Sequence, residues 1–174
     1  VTTRAAWLVK VNSMAVYETV LVVGHTRDNL FQLVSDVRRY PSFVRWIKGM
    51  RVEREKMSAD GFDLVAEAIV GFQGLTERFT TKVVAHAPSA TVHVNLVQGP
   101  FRRLENSWEL TNCEDEAGTR IKFRIDYQFK NPLLQMLLVT NFDKAVDRLM
   151  QSFLEEANRR HGEQAWRVVE IKRV

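Results

Sequence analysis

NPLLQMLLVTNFDKAVDRLMQSFLEEANRR, residues Asn131 to Arg160, decides the reading of this chain. Asn131 offers a side-chain oxygen to the first free backbone N–H groups, and Pro132 suits the first helical position, where its missing N–H would have no partner anyway. From Leu138 onward the apolar residues Phe142, Val146, Leu149, Phe153 and Ala157 recur at helical spacing. Asp143, Lys144, Asp147, Arg148, Gln151 and Glu155 take the opposite side, so the spacing predicts one long helix whose apolar stripe must lie on something apolar. The first two turns break this pattern, because Leu133, Leu134, Met136, Leu137, Leu138 and Val139 leave only Gln135 polar. Such a segment falls well short of the roughly 20 apolar residues that cross a bilayer. Either it is buried on every side, or it offers apolar surface to a ligand, a partner or lipid.

The surface that the helix needs lies upstream. Val16 to Val23 is rich in β-branched residues and reads as a strand. Gly24-His25-Thr26 turns the chain, Thr26 is placed to cap a helix with Asp28 in its first turn, and Leu30, Phe31, Leu33, Val34 and Val37 mark one face. Tyr40-Pro41 ends that helix, since the residue before a proline is pushed out of the helical region, and Ser42 to Trp46 fits one further turn. After that the period changes to two. Phe62, Leu64, Ala66, Ala68, Val70 and Phe72 share one parity; Leu75, Phe79, Val83 and Ala85 share another; Val92, Val94 and Leu96 follow. Leu104, Trp108 and Leu110, then Ile121, Phe123, Ile125, Tyr127 and Phe129, complete a series of half-buried antiparallel strands. Ala59-Asp60-Gly61, Gly71 to Gly74, Ala87-Pro88-Ser89, Gly99-Pro100 and Asp115 to Gly118 are the turns. The predicted fold is α+β: a curved antiparallel sheet of about seven strands wrapped around the long C-terminal helix, with two short helices after the first strand.

A chain of 174 residues with 45% hydrophobic and 26% charged residues is long enough for one domain with a sizeable core. We expect that domain over residues 15–161, a disordered extension over 1–14 and an unassigned tail over 162–174. No signal-peptide pattern opens the sequence and no apolar run reaches spanning length, so the expected location is cytoplasmic. Cys113 is the only cysteine and has no Cys or His at metal-ligand spacing, so neither an internal disulfide nor a metal is expected. A net charge of +4 permits contact with anionic lipid or RNA, although the basic residues are dispersed along the chain.

On the inward faces, Ala66 and Ala68 stand where Val or Ile would fill space, which fits either a cavity or close packing of helix on sheet. Asn106, the Tyr127 hydroxyl and Glu77 are the clearest inward polar groups. A largely apolar pocket with a few fixed polar groups is the usual design for small-molecule binding. Tyr40, Pro41, Phe43 and Trp46 form an aromatic loop segment, either a satellite of the core or the rim of such a pocket. Nucleophile, metal and phosphate-loop motifs are missing. His25, His86, His93 and His161 read as surface histidines, Asp143 and Asp147 as a solvated charged face, and Glu155 and Glu156 as ordinary partners of Arg159 and Arg160. No catalytic residue and no enzyme is expected.

Three local signatures carry a family resemblance: Asp36-Val37 with Tyr40-Pro41 and Phe43-x-x-Trp46; Gly99-Pro100-Phe101-x-x-Leu104 with Trp108; and Asp126-Tyr127-x-Phe129 before Asn131 and Leu133-Leu134. Together with the order of elements they resemble the coenzyme Q-binding protein and ribosome-association toxin family, within the START (polyketide cyclase/dehydrase, SRPBCC) superfamily with its helix-grip fold. The resemblance covers about residues 15–160. It implies a non-enzymatic protein that holds ubiquinone or a similar polyprenyl lipid as a bound ligand, with no cofactor, in support of respiratory electron transport. Tyr40, Pro41, Phe43 and Trp46 would form the rim, Gly99, Pro100 and Phe101 a loop, and Trp108 a wall. With these we group Ala66, Ala68, Phe72, Phe79, Leu96, Asn106, Tyr127, Leu134, Leu138, Phe142 and Val146 as ligand-binding candidates. Arg45 departs from the proline expected in many relatives, and an exposed arginine there could face a lipid phosphate. The quinone ring and proximal tail would sit between helix and sheet, and the distal tail would leave near Leu133–Val139 or Phe43–Trp46. Expected partners are this lipid and a peripheral contact at the inner face of the respiratory membrane, with no DNA. The competing functions are a regulator bound to the large ribosomal subunit and an aromatic polyketide cyclase or dehydrase.

Overall fold

The structure, a computed structural model, describes residues 15–72 and 74–173, without the side chain of Phe72. The extension expected over 1–14 lies outside the described residues. Among the described residues, eight antiparallel strands form one curved sheet in the order β2-β3-β4-β5-β6-β7-β1-β8. Strands β2 (Ile47–Ser58), β3 (Gly61–Phe72), β4 (Leu75–His86), β5 (Thr91–Gln98), β6 (Phe101–Asn112) and β7 (Thr119–Phe129) form the meander, and β1 (Ala15–Val23) returns beside β7. Register shifts between Ile47 and Gly49, Val52 and Arg54, Thr80 and Thr81, and Phe101 and Arg103 mark the bulges that help a sheet to bend.

The tail that its sequence left unassigned supplies the eighth strand, β8 (Trp166–Arg173), paired with β1 from Tyr17↔Arg173 to Val23↔Trp166. Gly162, at φ +90, ends the helix before it with a backbone turn that L side chains rarely adopt, and so directs the chain back to β1. Every residue of β8 is exposed. Among the described residues only one of its edges is paired, and neither of its faces is covered.

Helix α1 (Arg27–Ser35) starts where expected, with Thr26 accepting from the Asn29 N–H. The second short helix differs from expectation: it is a 3₁₀ helix over Val37–Ser42, with Pro41 inside it, rather than a turn over 42–46. The Tyr40 hydroxyl donates to the Val34 carbonyl and ties this segment to α1.

The stretch read as one helix is two: α2 (Pro132–Val139) and α3 (Phe142–His161). Asn131 caps α2 as predicted, its Oδ1 accepting from the Leu133 N–H at 2.9 Å. The break at Thr140 and Asn141 has a local cause, because the Thr140 hydroxyl at 3.0 Å and the Asn141 amide at 3.2 Å both donate to the Leu137 carbonyl. Helix α3 then lays Val146, Met150, Phe153, Leu154 and Ala157 into the core. Phe153 is centred 5.0 Å from the Trp108 ring on β6, 5.0 Å from Tyr40 and 5.1 Å from Phe43.

His25 is a correction: it is buried, not a surface residue. Its Nε2 donates to Asn158 Oδ1 at 2.7 Å, and its carbonyl accepts from the Thr119 hydroxyl at 2.8 Å, so the end of α3 and the start of β7 close over this turn. His86, His93 and His161 are exposed as expected. Asp143 and Asp147 do more than face solvent, since Asp143 pairs with Arg173 of β8 at 3.0 Å and Asp147 accepts from Tyr17 at 3.2 Å. Glu156 takes both Arg159 and Arg160, whereas Glu155 accepts from Gln151.

Candidate functional site

Two apolar clusters fill the space between helices and sheet. The larger holds Ala66 and Trp108 with Val146 and Phe153, and Tyr40, Phe43, Trp46 and Phe142 pack against it. The smaller gathers Phe101, Leu104, Tyr127 and Phe129 beneath α2, with Phe79, Leu96, Leu134, Leu138 and Phe142 around them. Phe142 joins the two, stacked at 4.0 Å on Tyr127. Ala68 is buried, Pro41 sits inside the 3₁₀ helix, and Asn106 is partly buried on β6 between Val94 and Ile125. Gly99 lets the loop before β6 lie close against Phe79: at φ +151, a Cβ there would meet the Phe79 Cβ at 2.4 Å. That approach brings the Phe101 ring edge-on to Phe79 at 5.2 Å.

The smaller cluster carries polar atoms that its neighbours leave without partners. The Tyr127 hydroxyl and the Gln135 Nε2 are both sealed from solvent, and neither has a hydrogen-bond partner among the described residues. Gln135 is the only buried residue of α2. Its Oε1 accepts from the Phe129 N–H at 2.7 Å, and because a backbone N–H can only donate, this bond fixes which end of the carboxamide faces the strand. The amide N–H₂ is thereby left as a donor with no acceptor. Burial, reinforced by the Asp143 carboxylate, pushes the Tyr127 phenol up from its ordinary value, so it too remains a neutral donor. Buried donors without acceptors are few in native proteins and each calls for an explanation.

Beside the main cluster, a groove of about 840 Å³ opens between the start of β2, the end of β3 and the first turns of α3. Phe43 and Trp46, both predicted as rim residues, line it with Arg45, Lys48, Lys144 and Arg148. Trp46 Nε1 is another sealed donor without an acceptor among the described residues. Glu155 is the one carboxylate of the lining, and it is held by Gln151 at 2.8 Å. Arg160 reaches over the Phe43 ring at 6.0 Å and is fixed in turn by Glu156 at 2.7 Å.

The structure brings the residues read as wall and rim together between helix and sheet, whereas the sequence reading passed over Gln135 as a site residue and did not assemble the groove cations. The available signals were Gln135 as the lone polar residue of an apolar turn, and Lys144 and Arg148 four apart on one helical face.

Comparison with known proteins places these features in a family. Residues 23–154 match the family described as polyketide cyclase / dehydrase and lipid transport. The ribosome association toxin RatA of Pseudomonas aeruginosa is 32% identical over 76% of this chain and 88% of its own length. The mitochondrial coenzyme Q-binding protein COQ10 of Drosophila melanogaster is 29% identical over 81% of this chain and 57% of its own. The solution structure of an 18 kDa protein from Caulobacter crescentus, 38% identical, superposes with a TM-score of 0.71 over 87% of this chain and 99% of that one. Strand β8 lies beyond the part of the chain that the family description covers. With most of the described domain matched, and with the helix-grip arrangement in place, this chain belongs to the polyketide cyclase / dehydrase and lipid transport family.

Proposed function

We propose that this protein binds ubiquinone or a similar polyprenyl lipid between its sheet and C-terminal helices, without catalysis, and supports respiratory electron transport as a carrier or chaperone at the inner face of the respiratory membrane. The observation that carries this reading is the pair of orphaned donors, Tyr127 O–H and Gln135 N–H₂, within the aromatic cluster beneath α2. A quinone head offers two carbonyl oxygens that can only accept, set on a flat apolar ring. That chemistry complements buried donors among Phe101, Phe129 and Phe142. The similarity to a coenzyme Q-binding protein points the same way. The inward polar groups, Asn106, Tyr127, Gln135 and Glu77, suit the orientation of a ligand, and no base stands beside a nucleophile among them. For this reason we favour binding over the cyclase or dehydrase chemistry that the family also includes.

A second reading, a regulator bound to the large ribosomal subunit, is favoured by the similarity to RatA and by the cations of the groove. Mass spectrometry of organic extracts from protein purified without detergent separates the two. The carrier reading expects a near-stoichiometric polyprenyl quinone, retained several-fold less well by Tyr127→Phe, since one hydrogen bond to a ligand contributes about 0.5–1.5 kcal/mol. Folded protein that is empty, takes up no added quinone and co-sediments with large subunits in a steeply salt-dependent way would replace it with the ribosomal reading.

A further inference from the structure

Helix α2 is inside out. It buries Gln135 and turns Leu133 (66% exposed), Met136 (50%), Leu137 (37%) and Val139 (47%) to solvent. The same end of the sheet carries the start of β4 and the end of β5, where Leu75 and Val97 are also exposed. Directly after α2 come Lys144 and Arg148, which with Arg45 and Lys48 set four cations against one carboxylate along the groove. None of the four forms an ion pair among the described residues. The outer face of the sheet is different: Glu67 meets Arg51 and Arg78, Asp63 meets Lys82, Glu18 meets Lys122 and Arg124, and Asp126 meets Arg103. Cations are neutralised there and left open beside α2.

We propose that α2 and the adjoining groove form a docking surface for an anionic phospholipid bilayer, with the groove cations holding headgroup phosphates while the apolar face of α2 enters the acyl boundary. Apolar side chains beside unpaired cations are what an interfacial helix needs, since burial of apolar area and attraction to anionic headgroups act together. Trp46 lines the same groove, and indole rings favour the headgroup level. RNA would use the cations but gain nothing from aliphatic Leu133, Met136, Leu137 and Val139. A second copy docked through this surface would set cations against cations. The inference deepens the carrier reading by naming the membrane surface from which the lipid enters. Its test reads membrane binding rather than quinone content, so either can fail alone.

The experiment is flotation of the full chain with vesicles of phosphatidylcholine, with and without phosphatidylglycerol, at low and raised salt. We expect binding only to the anionic vesicles, reversed by salt. The double variant Lys144→Gln with Arg148→Gln should bind roughly thirtyfold more weakly, because both charges sit at the surface. Leu133→Ser with Met136→Ser should lose binding while melting like the parent protein. If the serine pair disturbs folding, the charge variant alone decides. Indifference of the parent protein to anionic vesicles at low salt would overturn the proposal, as would equal binding by the charge variant. A homopolymeric RNA bound in preference to vesicles, or a dimer dissociated by the serine pair, would assign the surface to another occupant. Quinone retained by a protein that ignores vesicles would leave the carrier reading standing without this surface.

Discussion

Helix α3 buries Val146, Met150, Phe153, Leu154 and Ala157 and leaves Lys144, Asp147, Arg148 and Gln151 in solvent; α2, separated from it only by Thr140 and Asn141, buries Gln135 and leaves Leu133, Met136, Leu137 and Val139 outside. The first helix obeys the hydrophobic effect in water. The second does not, and is held down instead by a cap at Asn131, a hydrogen bond from β7 to Gln135 and the inward edges of Leu134 and Leu138. Packing makes α3 part of the core. The apolar area that α2 exposes adds nothing to this packing, and it is the area that the proposed membrane surface would bury.

The largest test of this contrast is Phe153→Ala. Phe153 touches Tyr40, Phe43 and Trp108, so its loss should cost about 3–5 kcal/mol of global stability in denaturant titration. A cost under about 1 kcal/mol would mean that α3 is not gripped by the sheet. Next comes Gln135→Ala, which leaves the buried Phe129 N–H without its acceptor and should cost about 1–3 kcal/mol. Hydrogen exchange should accelerate in α2 while α3 stays protected, and equal acceleration in both would merge the two helices into one cooperative unit.

The smallest effect is in acid. Hydrogen bonds from Arg159, and then from Arg160, hold the Glu156 carboxyl down at about 2, against a burial effect that opposes them. A carboxyl depressed in the folded state adds stability above its unfolded pKa of about 4.3, and loses it as pH falls from there toward the folded value. Between pH about 4.5 and about 2 the parent protein should therefore lose stability that Glu156→Gln has already lost, and the two curves should converge. Since Arg160 also lies over Phe43, the same titration should loosen the groove rim before it loosens α2. Parallel acid limbs would show that this pair does not matter.

Much of the fold was legible because period-two alternation and turn residues are local signals. Phe62 to Phe72 and Ile121 to Phe129 fall in β3 and β7, and Asn131-Pro132 starts a helix as read. The break after Val139 was not, because it depends on Thr140 and Asn141 side chains competing for the Leu137 carbonyl, a choice that helical spacing does not record. Strand β8 was missed for a different reason: Trp166, Val168, Val169 and Ile171 have no regular alternation, and an edge strand with both faces in solvent does not need one. His25 lay in a turn, and only the arrival of Asn158 from the far end of the chain buried it. At the candidate site, the aromatic residues were visible as types, while the orphaned donors and the open cations were not. Whether a polar atom has a partner is a fact about its neighbours in space.

The sequence by itself determined the meander and the helical character of residues 132–139 and 142–161, because backbone preference and apolar period are carried by adjacent residues, while the family resemblance rested on local motifs such as Tyr40-Pro41 and Gly99-Pro100-Phe101. Only the tertiary structure decided that Gln135 points in while Leu133 and Met136 point out, and that Arg45, Lys48, Lys144 and Arg148 share a groove with no ion-pair partner among the described residues. A segment apolar on all sides does not encode which side is buried. The choice was made by a single N–H on β7 that required an acceptor, and by the shape of the cluster beneath it.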